Sequence, residues 1–193
     1  MLKLGVLGST RGTDLDAIVS AINEGRLNAT IKLVVSNKES AYILERAEKN
    51  NIKRVFLSDY SLNKENYGNL LNEKFLDNNV DIILLIGFMK ILSKSFCKKW
   101  DNKILNVHPS LLPKYAGGIN NNVHRDVLSN NDNETGCTIH YVTADVDSGP
   151  ILIQKKCKVQ PGDTVESLKN RVQHLEGQAF IEALHLIETK NYA

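Results

Sequence analysis

Asp81-Ile82-Ile83-Leu84-Leu85-Ile86-Gly87 is the stretch that decides the fold. Its apolar run is unbroken rather than alternating, as a parallel strand covered on both faces requires. The run is strand-sized, far short of the ~20 apolar residues that cross a bilayer.

Upstream, Leu2 to Leu7 is strand-like, Gly8 to Gly12 reads as a turn, and a helix follows. That helix sets Leu15, Ile18, Val19 and Ile22 at helical spacing and ends at Gly25. A second strand at Ile31–Val35 leads to a helix over roughly 41–50. Arg54–Leu57 is a third strand, and Tyr67, Leu70, Leu71 and Phe75 mark a third helix. Downstream, a short helix near Lys94–Lys99 precedes Lys103-Ile104-Leu105, a strand that runs on to His108. The alternation predicts an α/β fold: a doubly wound, mostly parallel Rossmann-like sheet with right-handed crossovers.

After Pro113 the pattern changes. Tyr115 to Asn122 is rich in Gly and Asn and reads as a loop, followed by a helix near Val123–Leu128. Thr138–Val142 and Ile151–Gln154 are expected as strands. The segment Asp145-Val146-Asp147-Ser148-Gly149-Pro150 between them is too short for a crossover helix, so the pair should be antiparallel. Val165, Leu168, Val172, Leu175, Ala179, Ala183, Leu184 and Ile187 predict a long amphipathic helix with Asp163-Thr164 at its cap. A single domain over 1–193 is expected.

Composition narrows the function classes. The 193 residues are 42% hydrophobic and 24% charged, with a net charge of +2, the profile of a globular protein with no basic surface for nucleic acid. No nucleic-acid or membrane partner is expected. The N-terminus enters a strand at once, so no export signal is expected. Cys97, Cys137 and Cys157 are odd in number and contain no CxxC, which points to a reduced cytoplasm. His108, His124, His140, His174 and His185 lack ligand spacing, so no metal is expected. His140 alternates with Ile139 and Tyr141 in a strand and reads as structural.

Three constellations carry chemistry. Gly8-Ser9-Thr10-Arg11-Gly12-Thr13-Asp14 joins a strand to a helix, where free N–H groups bind anions and glycine admits a phosphate closely. It has neither the P-loop ending nor the dinucleotide fingerprint, so a phosphate monoester fits better than a triphosphate. The same residues equally suit an ordinary βα turn. Asp14 beside a phosphate would be tolerable only if it turned away to cap the helix.

In Asn106-Val107-His108-Pro109, the amide and the imidazole share one face of a strand that Pro109 ends. This is the carboxyl end, where open α/β sheets bind ligands. If Asp147 reached His108, it would stabilise the imidazolium, and an Asn donor beside it could hold an oxyanion. Spacing leaves open a His with no catalytic task and an Asp chosen for its turn. Gly87-Phe88-Met89-Lys90-Ile91-Leu92 would line a flat aromatic ligand's pocket or be core. No nucleophile motif accompanies these groups.

The sequence resembles the folate-dependent glycinamide ribonucleotide formyltransferases of purine synthesis. The resemblance rests on Ser36-Asn37-Lys38, Gly87-Phe88-Met89-Lys90-Ile91-Leu92, Asn106-Val107-His108-Pro109-Ser110-Leu111-Leu112-Pro113, Gly136-Cys137-Thr138-Ile139-His140 and Asp147-Ser148-Gly149-Pro150, and covers essentially the whole chain. It implies direct formyl transfer from 10-formyltetrahydrofolate to a glycyl amine, with no metal and no covalent enzyme intermediate. Asn106 and His108 would stabilise the tetrahedral intermediate, with His108 also handling the proton and Asp147 supporting His108 and helping to shuttle protons. Gly12, Thr13 and Asp14 match the phosphate loop, and Gln173 and Glu176 match positions at the glycinamide end. Lys64, Met89, Lys90, Ile91, Leu92, Asn106, Thr143, Ala144, Asp145, Val146 and Asp147 match the folate site.

The resemblance further implies a phosphate-binding half over about 1–100 and a folate and catalytic half over about 101–193. Small-molecule substrates and a monomer or weak homodimer are expected. Lys64 and Lys90 stand where some members have Arg, which keeps the charge and loses the bidentate fork. Asp14 replaces the commoner Asn, and the loop from Ala116 to Asn122 is longer than in some members. The competing readings are a formyltetrahydrofolate deformylase, which would carry an extra N-terminal domain, and a methionyl-tRNA formyltransferase, which would carry an extra C-terminal one. A noncatalytic phosphate-binding module would need the loop at Gly8 but not Asn106, His108 and Asp147 together.

Overall fold

The computed structural model describes residues 1–117 and 122–191, and the side chains through 189. Residues 118–121, within the expected loop, lie outside the described residues. One seven-stranded sheet runs through the molecule in the order β3-β2-β1-β4-β5-β6-β7. The strands are β1 (Leu2–Leu7), β2 (Ala29–Ser36), β3 (Arg54–Phe56), β4 (Ile82–Leu85), β5 (Ile104–His108), β6 (Glu134–Tyr141) and β7 (Ile151–Lys158). The first five are parallel, while β6 runs antiparallel to both β5 and β7.

The helices are α1 (Thr13–Asn23), α2 (Tyr42–Lys49), α3 (Lys64–Asp77), α4 (Lys94–Lys99), α5 (Val123–Ser129) and α6 (Val165–Asn191). The unbroken apolar stretch of β4 explains the two layers. Ile82 and Leu84 pack with Leu15 and Ile18 of α1, Ile43 of α2 and Phe180 of α6. Ile83 and Leu85 face the other way, against Leu71 and Phe75 of α3 and Phe96 of α4. Each side chain of β4 is buried because each face of the strand carries helices.

The order places β1 beside β4, so the chain leaves β1 toward one edge and β4 toward the other. The loops after these two strands diverge and leave a crevice at the sheet's carboxyl end. The turn beginning at Gly8, the segment beginning at Ile86 and the end of β5 therefore share one rim.

Two strands run further than the sequence suggested. β6 starts at Glu134 rather than Thr138, and β7 continues to Lys158 rather than stopping at Gln154. β7 is the edge strand, so Lys156 and Lys158 can point to water while Lys155 and Cys157 are half-buried. At the start of α6, Thr164 Oγ1 accepts from Ser167 N at 3.1 Å, and Asp163 instead takes both guanidinium nitrogens of Arg171 at 2.7 and 2.8 Å.

Candidate active site

The phosphate-type loop is built around one residue. Gly12 has φ 66° and ψ 41°, the left-handed region, and a Cβ there would stand 2.4 Å from Ile43 Cγ1. It precedes α1 directly, and no side chain caps that helix. The first N–H groups of α1 are thus left to a ligand, with the positive end of the helix dipole behind them. Ser9 braces the loop: its hydroxyl donates to Asn37 Oδ1 at 2.6 Å and accepts from Met89 N at 3.3 Å. The Ser36-Asn37-Lys38 motif therefore ties the turn after β1 to the segment after β4.

Asp14 does not cap α1; it is buried at the helix's first turn and lines the cleft. Burial holds its carboxyl well above the ordinary value.

The catalytic candidates meet at the end of β5. Register places Asn106 opposite His140 and His108 opposite Thr138 across the antiparallel β5–β6 pair. Cross-strand partners share a face. Asn106 Nδ2 accordingly donates to Nε2 of His140 at 3.1 Å, and His140 Nδ1 donates to its neighbour's carbonyl, Tyr141 O, at 3.0 Å. With one nitrogen donating and the other accepting, His140 is a neutral imidazole. Burial lowers its pKa, which agrees. His140 is thus a clamp that fixes the orientation of the Asn106 amide and leaves its second N–H to the cleft. Sequence reasoning read His140 as structural; its place in the site follows from strand register, which is not a local signal.

His108 is held from two sides. Its Nε2 donates to the carbonyl of Tyr115 at 2.9 Å, and its Nδ1 lies 3.4 Å from Asp147 Oδ2. Asp147 Oδ2 also accepts from Gly117 N at 3.0 Å, and Asp147 Oδ1 lies 3.7 Å from His140 Nε2. The expected approach of Asp147 to His108 is present, and Asp147 reaches it from a left-handed φ of 52°. The turn that carries Asp147 closes tightly, because a Cβ on Gly149 would fall 1.8 Å from the carbonyl oxygen of Tyr141. Below the turn, Thr138 Oγ1 donates to Ser110 O at 2.7 Å and accepts from Leu112 N at 3.0 Å, fixing the chain just after His108.

These groups floor a cleft of about 420 Å³, within the range of small-molecule sites. One end is Gly12, Thr13 and Asp14 with Lys169, Gln173 and Glu176 of α6. The other is Phe88 to Leu92 with Val142 to Val146. Met89, Ile91 and Val146 are exposed there, which suits an apolar ligand better than a packed core. Lys90 lines this end but is tied to Asp59 at 2.8 Å. Lys64 does not join it: the residue stands exposed at the first turn of α3, outside the lining. His124 of α5 lines the cleft as well, a residue the spacing of histidines gave no reason to pick. Among the described residues no group of three or more His, Cys, Asp or Glu side chains is placed to hold a metal ion.

The model of the formyl transferase family matches residues 2–184. The chain belongs to that family. This formyl transferase is 39% identical over 181 residues to the phosphoribosylglycinamide formyltransferase of Haemophilus influenzae, covering 93% of this chain and 84% of that protein. It is 41% identical over 189 residues to the trifunctional purine biosynthetic protein adenosine-3 of Chironomus tentans, covering 96% of this chain but 14% of that protein. Against the solved glycinamide ribonucleotide transformylase 1 of Symbiobacterium toebii the TM-score is 0.91 at 35% identity, covering 97% of this chain and 87% of the other. The seven-stranded sheet with its antiparallel C-terminal strands is thus the formyl transferase fold.

Proposed function

We propose that this formyl transferase moves the formyl group of 10-formyltetrahydrofolate to the amine of phosphoribosylglycinamide, a step of purine synthesis. The observation that carries the reading is the convergence of Asn106, His108 and Asp147 between a phosphate-type loop and an apolar wall. The names of the full-length relatives support the same acceptor.

In this reading the substrate's phosphate sits on the N–H groups of Thr13 and Asp14, with Gly12 giving it room. The glycinamide end runs past Gln173 and Glu176 toward Asn106. The folate ring lies against Met89 to Leu92 and the Thr143 to Asp147 turn, and Lys90 must exchange Asp59 for an acidic folate tail. Lys64 would serve the same tail only by swinging across from α3. The phosphate loop and the catalytic group come from the two halves of the chain, yet the apolar wall is built by both.

The amine attacks the formyl carbon and its oxygen gains negative charge. The free N–H of Asn106 and a protonated His108 stabilise that oxygen, worth about 2.7–4 kcal/mol per donor in comparable sites. His108 gives up a contact with Tyr115 or Asp147 to do so, since both ring nitrogens are engaged. The Asp147 carboxylate compensates the imidazolium and takes the proton that the attacking amine sheds, while the folate nitrogen gains one from His108 as its bond to the formyl carbon breaks, leaving tetrahydrofolate and the formylated amide. Small-molecule substrates alone are invoked. Three unpaired thiols suit a cytoplasmic setting.

Mixing the protein with phosphoribosylglycinamide and 10-formyltetrahydrofolate, and following folate absorbance, tests the reading. Turnover is expected only with both substrates present. Folate release without the ribonucleotide would make the protein a hydrolase, and no release at all would leave a binding module. His108→Ala should abolish turnover while largely keeping ribonucleotide binding; retained turnover at saturation would contradict its role.

A further inference from the structure

The cleft holds two buried acids whose protonation the proposed transfer does not use. Asp14 in the first turn of α1 is 5% exposed, and Glu176 of α6 is 8% exposed. Both line the cleft. The helices that carry them touch closely beside them, for a Cβ on Gly177 would stand 2.6 Å from the Cβ of Ala17. Burial pushes both carboxyls toward the protonated form, and the charge on Asp14 raises Glu176 further.

Few other groups face the pair. Lys169 of α6 pulls Glu176 partly back. Cys137 of β6 has its thiol pushed up to about 12, by burial first and then by Glu176. Lys155 of β7 is committed to Glu182 at 2.6 Å, and Arg11 lines the exposed rim. His124 of α5 is held down to about 4 by burial and Lys169, and its buried Nδ1 has no partner among the described residues. An orphaned imidazole nitrogen in the same cleft is an independent sign that a ligand completes this end.

We propose that Asp14 and Glu176 act as one proton-accepting pair, so that a phosphomonoester seated at Gly12 and Thr13 enters together with a proton taken up by the pair. The inference rests on reading that loop as the phosphate seat. A phosphate dianion and an ionised Asp14 at the same helix terminus repel across a poorly solvated cleft, and neutralising the carboxyl removes the repulsion. The proton passes from solvent to a carboxylate oxygen, and no other bond changes. A protonated carboxyl also becomes a donor to a ligand oxygen. Asp14 therefore sets the pH range of substrate binding. Affinity falls as pH rises through the titration of the pair, because the form that binds is the protonated one.

Titration calorimetry of the full chain with ribose 5-phosphate tests this, in buffers of different ionisation enthalpy at about pH 8. The probe has no amine, and its phosphate is fully dianionic there, with a second pKa of about 6. Uptake of about half to one proton per ligand is expected, with affinity falling by up to roughly tenfold per pH unit. Both effects should shrink toward zero in Asp14→Asn and Glu176→Gln, each checked for an unchanged fold by its melting transition. Binding without uptake would overturn the pair and leave the phosphate seat standing. Uptake unchanged in both variants would also overturn it, moving the proton to another group such as His124. Absence of any binding would remove the phosphate seat and the pair with it.

Discussion

At the residue scale, the proposed transfer depends on an amide whose direction is set from across the sheet. Asn106 owes its fixed orientation to His140, its cross-strand partner, and His140 in turn is locked by Tyr141 O. Asn106→Ala should lower kcat by about 10²–10³-fold, as loss of one oxyanion donor does. His140→Ala should lower it by up to about 10²-fold, by letting the amide drift. If the histidine acts only through the amide, the double variant is no slower than Asn106→Ala alone. Steady-state kinetics at saturation decide this, and multiplying losses would give His140 a separate role. Asn106 and His108 were legible because a proline ends their strand. Asp147 could be picked as an acidic turn residue, but its reach to His108 depends on how that turn folds back. His140 and the burial of Asp14 depend on register and on α6 packing against α1, and no window of sequence contains either.

At the scale of elements, the turn from Val142 to Pro150 shows how a loop is made rigid enough for catalysis. Thr143 Oγ1 donates to Asp145 O at 3.1 Å and Ser148 Oγ donates to Val146 O at 2.9 Å, so the turn satisfies itself. Gly149 lets it close against Tyr141 O, where any Cβ would collide with backbone. Gly149→Ala should therefore displace Asp147 and lower kcat by about 10²-fold. Its melting temperature should change much less than that of a core truncation such as Phe180→Ala, which costs about 3–5 kcal/mol. Thermal melts beside kinetics separate the two, and a fall in melting temperature with intact kcat would refute the positioning argument. The antiparallel pairing of β6 with β7 was readable from the short connection between them. Their full lengths were not, because an edge strand that alternates lysines with half-buried residues looks like a solvated segment.

At the scale of the whole molecule, the strand order sets the loops after β1 and β4 beside the end of β5, and α6 closes the end of the cleft that carries Gly12 and Thr13. That closure buries Asp14 and Glu176 at a cost that depends on pH. Both carboxyls have folded-state values raised by burial. Their contribution to stability is therefore fully present below the unfolded carboxylate range, about 4, and is lost as pH rises through the raised values. The melting temperature should fall from about pH 4 to about pH 8, and the fall should be smaller in Glu176→Gln. An identical slope in both proteins would mean that the carboxyl is not held protonated. The alternation of strands and helices made the sheet legible, since a doubly wound fold announces itself in periodicity. The cleft was legible only where motifs cluster at strand ends.

Direct transfer from folate to the ribonucleotide amine is tested by following the formyl carbon itself. With that carbon isotopically labelled in 10-formyltetrahydrofolate and observed by NMR during turnover with phosphoribosylglycinamide, the label should pass into an amide of the ribonucleotide without appearing as formate. Label accumulating as free formate, with the ribonucleotide unchanged, would contradict the account.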